Sequence, residues 1–350
     1  MTINPTFTMD SRAVLAGLDF ADLARGMRAQ AQSYGLDIPE DTAARLVVEV
    51  RDFGCMQAEA HPDGSTIRLR AALPDRLQML QDSFVAQLRD LHPQAADALR
   101  WQGGEAAGAL PPNVHFTTVQ SVTPLGRSFV RVKVQGGDLS GFQDDAIHFR
   151  LLLPPTGAAA PEWPRLGENG ATIWPKGDAA LHRPVYTTRR ICHRTGEMEF
   201  DLFVHEGGRA TAWARSAKPG DQLAIAGPGG GGIPAARKLL IYGDETALPA
   251  IARTLDSLPA DACGAATVLA DGGAACGYPL STPAGMTLRW LDRREGDALA
   301  ARALAAWPLN RDHFLWFAAE KSQAQQLRKA VKDVQADPGT TYIAAYWSKS

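Results

Sequence analysis

The sequence changes its hydrophobic pattern at a run of four glycines, residues 229–232, and this change constrains the fold more than any other feature. Before the run, from about residue 113, short segments of alternating polarity such as HFTTVQSV, SFVRVKVQ and EMEFDLFVH are separated by turn residues. This alternation predicts a small antiparallel β-barrel. After the run, apolar strands alternate with helical segments, which predicts a parallel sheet covered by helices on both faces. We interpret the glycines themselves as a flexible hinge.

Residues 1–105 differ from both of these parts and predict a small α+β domain whose role the sequence does not reveal. The spacing of apolar residues predicts a helix from Ser11, as its N-cap, to Tyr34, and a second helix from Pro74 to Leu91. Two strands, in ARLVVEVRDFG and STIRLRAAL, are expected around the turn HPDG.

A linker rich in Gly, Ala and Pro at residues 103–112 follows this unit. We therefore expect three domains, at residues 1–105, 113–228 and 236–350. Residues 156–180, which contain several prolines and glycines, are expected to form an insertion or a long loop within the barrel.

Composition excludes several classes of function. With 36 basic and 38 acidic residues, the chain has a net charge of −2 and no general basis for binding nucleic acid. No apolar run approaches 18 residues, so we expect no membrane span, and the first residues lack the layout of a signal peptide. The four cysteines form no C-x-x-C pair, which favours the reducing cytoplasm and excludes a built-in iron–sulfur cluster. We expect no bound metal, and electrons would come from a soluble donor or another protein.

The stretch HRPVYTTRR carries the strongest candidate site. On a strand, Tyr186 and Thr188 share one face, and Thr187 and Arg189 share the other. An isoalloxazine ring needs a flat apolar partner and a hydrogen-bonding group near its reactive N5, and its diphosphate needs cationic and N–H donors. We therefore assign catalytic roles to Tyr186 and Thr187 and expect FAD to bind this strand.

A second element of this candidate site follows about 20 residues later, in GGRATAW. Small residues that open a helix let backbone N–H groups approach a phosphate at the positive end of the helix dipole. The additional candidate cofactor-binding residues of this stretch are His205, Gly208, Ala210, Thr211 and Trp213.

The first strand after the glycine run leads into a candidate nicotinamide nucleotide site. Open parallel sheets bind ligands at the carboxyl ends of their strands, and Asp244 and Thr246 lie there. The adjacent carboxylates of Asp244 and Glu245 would repel a diphosphate unless they point away or cap the helix. Asp271, at the end of the next strand, favours NADH, and both NADH and NADPH stay open.

The order of these elements resembles the siderophore-interacting protein family, FAD-dependent ferric-siderophore reductases of the ferredoxin-reductase superfamily. The matching blocks, which lie between about residues 115 and 349, are HFRLLLPP, YTTR, GRATAWA, PGDQLAIAGP, GDETALPAI, LWFAAE and AYWSK. The resemblance implies a β-barrel FAD-binding domain followed by an α/β NAD(P)H-binding domain. The family arginine lies two residues before the tyrosine, where this chain has Pro184. Either a bulge brings Arg183 back toward the diphosphate, or Arg189 carries more of the charge, which we favour.

The resemblance also implies roles at the end of the chain. Trp347 would lie near the flavin, and Lys349 would face the substrate in place of the family's usual arginine. Glu320 would approach the flavin or ribose, or would instead cap a helix.

The activity that the resemblance implies is an FAD-dependent NAD(P)H:ferric-siderophore oxidoreductase. It would reduce chelated Fe(III) to Fe(II) and release iron in the cytoplasm, with ferredoxin as a possible external donor. The substrate would be a ferric siderophore or another ferric chelate. Two alternatives stay open: a reductase of free flavin or quinone, and a non-catalytic siderophore-binding protein whose flavin site is degenerate.

Overall fold

A computed structural model describes residues 7–50, 53–157, 160–296, 298–307, 312–334 and 336–349. The chain divides into two compact units. The first unit comprises Met1–Phe116, Arg150–Arg183 and Ala224–Pro228, and the second comprises Thr117–Phe149, Pro184–Leu223 and Gly229–Ser350. Among the described residues, no helix has the length and apolar character needed to cross a membrane.

An antiparallel sheet with order β1-β5-β4-β3-β2 forms the N-terminal part of the first unit. Its elements are β1 (Met9–Ala16), α1 (Phe20–Tyr34), β2 (Asp37–Asp41), β3 (Arg45–Val50), β4 (Gly54–His61), β5 (Gly64–Ala71), α2 (Pro74–Leu91) and α3 (Pro93–Ala98). Apolar side chains of the sheet and of helices α1 and α2, among them Leu15, Met27, Ile67 and Phe84, form one core. This part is α+β, as predicted.

Two details of that prediction were wrong. Residues 11–16 belong to strand β1, which pairs with β5, and α1 begins after Asp19, whose carboxylate accepts from the N–H of Ala21. Ala13 and Leu15 are buried and alternate with exposed neighbours, so the strand period prevailed over the helical spacing. Strands β2 and β4 were also missed. The second helix was predicted correctly, from Pro74 to Leu91.

The segment predicted as an insertion packs against the helices of the N-terminal part. It contains the two-residue strands β9 (Arg165–Leu166) and β10 (Thr172–Ile173). Asp82 of α2 accepts from the backbone N–H of Thr172 at 2.7 Å and from its hydroxyl at 2.8 Å. Asn169 donates to the carbonyl of Ala96, and Trp101 donates to the carbonyl of Asn169. These bonds hold the insertion in place within the first unit.

A closed six-stranded barrel confirms the predicted antiparallel barrel. Its strands run in the order β11-β12-β7-β6-β13-β8. They are β6 (Val114–Leu125), β7 (Phe129–Gly136), β8 (His148–Leu152), β11 (Val185–Cys192), β12 (Glu197–Phe203) and β13 (Gln222–Gly229), with helix α4 (Arg209–Ser216) between the last two. Val132, Met198 and Phe200 are fully buried.

A five-stranded parallel sheet with order β16-β15-β14-β17-β18 confirms the predicted α/β part. Its elements are β14 (Lys238–Asp244), α5 (Leu248–Ser257), β15 (Cys263–Ala270), β16 (Gly285–Asp292), α6 (Leu299–Ala306), β17 (Phe314–Glu320), α7 (Lys321–Asp333) and β18 (Thr341–Trp347). Alternate residues of β14 belong to different cores, with Ile241 in one and Leu240 in the other. Both faces are therefore buried, which explains the nearly continuous apolar run of this strand.

Close contacts, rather than flexibility, account for the glycine run. A Cβ on Gly230 would lie 2.6 Å from Cδ2 of His148, and one on Gly231 would lie 2.5 Å from Cε2 of Tyr342. A Cβ on Gly232 would lie 2.5 Å from the carbonyl oxygen of Asp144. The segment is thus packed within the second unit, and the interpretation of these residues as a flexible hinge was wrong.

We predict that Gly230→Ala destabilises the protein by about 2–5 kcal/mol, because the methyl group overpacks against His148 and an L-residue is strained at the native φ of +73°. The matched control is Gly220→Ala, since Gly220 has a φ of +95° but nothing within 4 Å of its Cβ position. The control should lose only about 1–2 kcal/mol from its left-handed backbone. Urea unfolding of the two variants measures the difference, and equal losses would show that the His148 contact is unimportant.

Candidate functional site

Strand β11 presents two faces with different partners. On one face, the Tyr186 ring lies 5.9 Å from that of Phe200, and the Thr188 hydroxyl contacts the sulfur of Met198 at 3.6 Å. On the other face, the Thr187 hydroxyl lies 3.2 Å from Nδ1 of His148. The strand therefore separates an aromatic and apolar face from a hydrogen-bonding face.

Aromatic rings extend the first of these faces. Trp213 of α4 is stacked on Phe200, with centroids 6.4 Å apart and planes inclined by 17°. Tyr186 is partly exposed, and burial of much of its ring raises the pKa of its hydroxyl. Tyr186, Phe200 and Trp213 thus form one aromatic cluster.

Arg189 lies at a β-bulge and is held by an ion pair. The register between β11 and β12 shifts between Thr188 and Arg190, so Arg189 has no opposite residue. Its guanidinium donates to Asp256 of α5 at 2.7 Å, while its buried Nε has no hydrogen-bond partner among the residues that the structure describes. If Arg189 binds a phosphate, it does so through guanidinium N–H groups that do not donate to Asp256.

A second buried guanidinium ties the same helix to the same strand. Arg253 donates to the carbonyl of Thr188 at 2.6 Å and to the carboxylate of Asp144 at 2.8 Å. Together with the Arg189–Asp256 pair, these bonds fix the position of β11 against α5.

Arg183 belongs to the first compact unit. Its guanidinium lies over the Trp174 ring, 4.1 Å from the centroid, and burial together with nearby Arg150 lowers its pKa. Within that unit, Arg150 donates to the carbonyl of Arg183 at 3.0 Å. Tyr186 and Thr187 belong to the second unit.

Gly208 is the N-cap of helix α4 and has no side chain, so the first N–H groups of the helix receive no side-chain acceptor at this position. A Cβ on Gly208 would lie 2.6 Å from the exposed His205 ring, which would have to move aside. The hydroxyl of Thr211 accepts from the backbone N–H of His205 at 3.2 Å, which fixes the entry to the helix. Ala210 is buried beneath it.

The acidic residues after β14 are satisfied within the protein. Buried Asp244 accepts from the N–H and hydroxyl of Thr246 and, at 2.6 Å, from the indole of Trp347. Burial raises the pKa of Asp244 despite these donors. Glu245 pairs with Arg293 and accepts from the N–H of Asp271 at 2.8 Å. Asp244 thus caps the short helical turn that leads into α5, which is one of the two arrangements expected from the sequence, whereas Glu245 is neutralised by an ion pair that the sequence did not indicate.

The remaining candidates lie at the carboxyl ends of β17 and β18. Glu320 caps α7 and accepts from the N–H of Ser322 at 2.7 Å, which is the capping alternative named above. The backbone N–H of Lys349 also donates to Glu320, and the Lys349 side chain is exposed. Trp347 contacts Asp244, so the end of β18 meets the end of β14.

His148 is not among the site residues predicted from the sequence. It is buried on β8, and its two ring nitrogens face different partners: Nδ1 faces the Thr187 hydroxyl, and Nε2 lies 3.1 Å from the hydroxyl of Tyr346. Burial lowers its pKa to about 4, and the Arg253 guanidinium contributes to this. The only sign of a role for His148 in the sequence was its position in the block HFRLLLPP, and this block does not indicate which residues His148 contacts. No group of three His, Cys, Asp or Glu side chains that could hold a metal occurs in the described part of the chain.

Comparison with known proteins identifies relatives of this chain. The sequence model of the siderophore-interacting FAD-binding domain matches residues 118–232, and that of the siderophore-interacting protein matches residues 236–350. The NADPH-dependent ferric-chelate reductase of Escherichia coli is 31% identical over 242 residues, which are 66% of this chain and 91% of the relative. Ferric vibriobactin reductase ViuB of Vibrio cholerae is 31% identical over 52% of this chain and 67% of its own.

Solved structures agree with these matches. The siderophore-interacting protein SipS from Aeromonas hydrophila has a TM-score of 0.57 and 27% identity over 68% of this chain and 92% of its own. A siderophore utilization protein from T. fusca has a TM-score of 0.58 and 27% identity over 70% and 96%, respectively.

We predict that Trp347→Phe lowers the free energy of unfolding by about 1–3 kcal/mol, because it leaves a buried acceptor of Asp244 without its donor. Trp290→Phe is the control, since Trp290 lies partly exposed on β16 and its indole makes no hydrogen bond seen among the described residues. Guanidinium unfolding compares the two variants. A loss no larger than that of the control would contradict a stabilising role for the Trp347–Asp244 bond.

Proposed function

Because this chain belongs to the siderophore-interacting protein family, we propose that it is an FAD-dependent NAD(P)H:ferric-siderophore oxidoreductase. It reduces chelated Fe(III) to Fe(II) and thereby releases iron. The observation that carries the proposal is the pairing, on one strand, of the Tyr186 ring with a Thr187 hydroxyl on the opposite face, beside a helix that begins without a side-chain cap.

The residues present fit FAD. The partly exposed Tyr186 ring, which packs against buried Phe200, offers a flat surface for a tricyclic ring, and the Thr187 hydroxyl offers a hydrogen bond. The first turn of α4 offers N–H donors for a diphosphate, and Arg189 retains an unpartnered buried Nε. We propose that Tyr186 and Thr187 contact the isoalloxazine and that the residues binding the rest of the cofactor are Arg183, Thr188, Arg189, His205, Gly208, Ala210, Thr211 and Trp213.

Residues 236–350 are proposed to take NADH or NADPH at the carboxyl ends of β14 and β15, where Asp244 and Thr246 shape the loop. The internal pairing of Asp244 and Glu245 supports this, because paired carboxylates repel an anion less than free ones do. Trp347, which is bonded to Asp244, is proposed to border the same site from β18.

FAD, when bound, supplies the conversion of a two-electron donor into single electrons. The chain's own task is to hold the ring against Tyr186, to present Thr187 to it and to keep its diphosphate neutralised. Fe(III) prefers hard oxygen ligands that hold Fe(II) more weakly, so reduction loosens the complex.

Lys349, an exposed cation, is proposed to attract an anionic ferric siderophore or another ferric chelate. We also propose that the reaction takes place in the cytoplasm, and ferredoxin is a second candidate donor. All four cysteines are free thiols, which supports a reducing compartment.

We predict that changing Tyr186 and Thr187 together to Ala abolishes the FAD content of the purified protein, because the ring loses its flat partner and its hydrogen bond. Flavin absorbance per polypeptide is the measurement. Tyr34→Ala is the control, since Tyr34 is an exposed residue of α1, and it should retain full FAD. Unchanged FAD content in the double variant would refute the assigned site.

We further predict that the protein shows an oxidised flavin spectrum, which NADH or NADPH bleaches without oxygen and a ferric chelate restores. Restoration by free flavin or quinone, but not by a ferric chelate, would indicate the alternative reductase. A colourless protein that still binds ferric siderophore would contradict catalysis and support a binding protein.

A further inference from the structure

Three hydrogen-bonding side chains, Thr187, His148 and Tyr346, form a chain within the second unit. The Thr187 hydroxyl lies 3.2 Å from Nδ1 of His148, and Nε2 of His148 lies 3.1 Å from the hydroxyl of Tyr346. Tyr346 is partly exposed, so this chain connects a buried threonine to the surface.

Packing on several sides holds the central imidazole in place. Gly230 approaches so closely that a Cβ would lie 2.6 Å from Cδ2 of His148. The Tyr346 ring meets the imidazole edge-on, with centroids 5.5 Å apart and planes at 89°. A buried imidazole with both nitrogens engaged can accept a proton on one and give up a proton from the other.

We propose that Thr187, His148 and Tyr346 form a proton relay that carries the proton from flavin N5 to solvent when the reduced cofactor passes its electrons to iron. This inference rests on the proposed function and on a contact of Thr187 with N5. His148 acts as a positioning and relay residue, because it reaches the cofactor only through Thr187.

The stoichiometry of the reaction requires a path by which one proton leaves the flavin. Each hydride donated by NAD(P)H delivers two electrons to two ferric ions and leaves one proton. Thr187 receives that proton from N5 while its own hydroxyl proton passes to Nδ1 of His148. The proton on Nε2 passes to Tyr346, and the Tyr346 hydroxyl proton passes to water. Each group ends with as many protons as it had, so one proton leaves per hydride.

The charged groups around His148 favour a neutral imidazole at rest. Arg253 of α5 lowers its pKa, and Asp144 binds that guanidinium. Tyr342 and Tyr346 of β18 are neutral, since burial raises the pKa of both hydroxyls, and Asp244 also acts on Tyr346. A neutral imidazole has one free acceptor nitrogen, which the relay needs.

The hydrogen-bond chain is tested directly on protein without cofactor, by ¹⁵N NMR of the His148 ring. Thr187→Val should shift the Nδ1 resonance, and Tyr346→Phe should shift Nε2. Thr254→Val is the matched control, because Thr254 is a buried threonine of α5 whose hydroxyl has no partner in the described part of the chain, and it should leave both resonances in place. Unshifted resonances in the first two variants would overturn the relay.

The relay itself is tested on the FAD-loaded enzyme with His148→Asn and His148→Gln. The Asn amide can still meet Thr187 and the Gln amide can still meet Tyr346, but neither passes a proton between them. The rate at which a ferric chelate reoxidises the enzyme, measured by rapid mixing in H₂O and in D₂O, should fall by about tenfold to a hundredfold, and the solvent isotope effect should change. Reduction by NAD(P)H should stay close to wild type.

The outcomes separate this inference from the proposed function. Full FAD content with wild-type reoxidation rates and isotope effects in both variants overturns the relay alone. A wild-type protein that binds no FAD overturns the proposed function, and the relay with it.

Discussion

Two buried guanidinium groups hold strand β11 against helix α5, and the arrangement of the candidate site depends on them. A buried cation is tolerated only when acceptors surround it, and Arg253 donates to the Thr188 carbonyl and to Asp144 while Arg189 donates to Asp256. Arg253 and Asp256 are three residues apart and share one face of α5. Helix α5 therefore donates one charge-assisted hydrogen bond to β11 through Arg253 and accepts another from it through Asp256. These two bonds fix the strand on which Tyr186 and Thr187 lie.

The fold after residue 113 could be predicted because local pattern and tertiary environment agree there. Strand β14 is buried on both faces and reads as a continuous apolar run, and the barrel strands alternate as half-buried strands do. In the N-terminal part, the local pattern and the tertiary environment disagree. Val14, Leu15 and Leu18 have helical spacing, yet residues 9–16 pair with β5 along their whole length. Pairing with a strand some 50 residues away is decided by the sheet, and the local sequence carries no sign of it.

Only those features of the candidate site that follow from the two-residue period of a strand could be predicted from the sequence. The two faces of β11 follow from alternation, but the partners on those faces come from distant parts of the chain. Asp256 is 67 residues from Arg189, and Tyr346 is 198 residues from His148. His148 was missed for this reason, since a single histidine in an apolar strand shows nothing of its partners. The glycine run was misinterpreted likewise, because a glycine needed for close contact and one needed for flexibility look the same in a sequence.

The loop after β14 shows how tertiary contacts change the meaning of charge. In the sequence, Asp244 and Glu245 oppose an anionic ligand, but Thr246 and Trp347 satisfy the first, and Arg293 pairs with the second. In the sequence, Asp271 favoured NADH because no Lys or Arg that could bind the 2′-phosphate of NADPH follows within several residues. Arg294, from the end of the neighbouring strand β16, lies 3.8 Å from its carboxylate. A cation beside that position weakens the electrostatic argument against a 2′-phosphate, so the sequence-based preference for NADH over NADPH loses its physical basis.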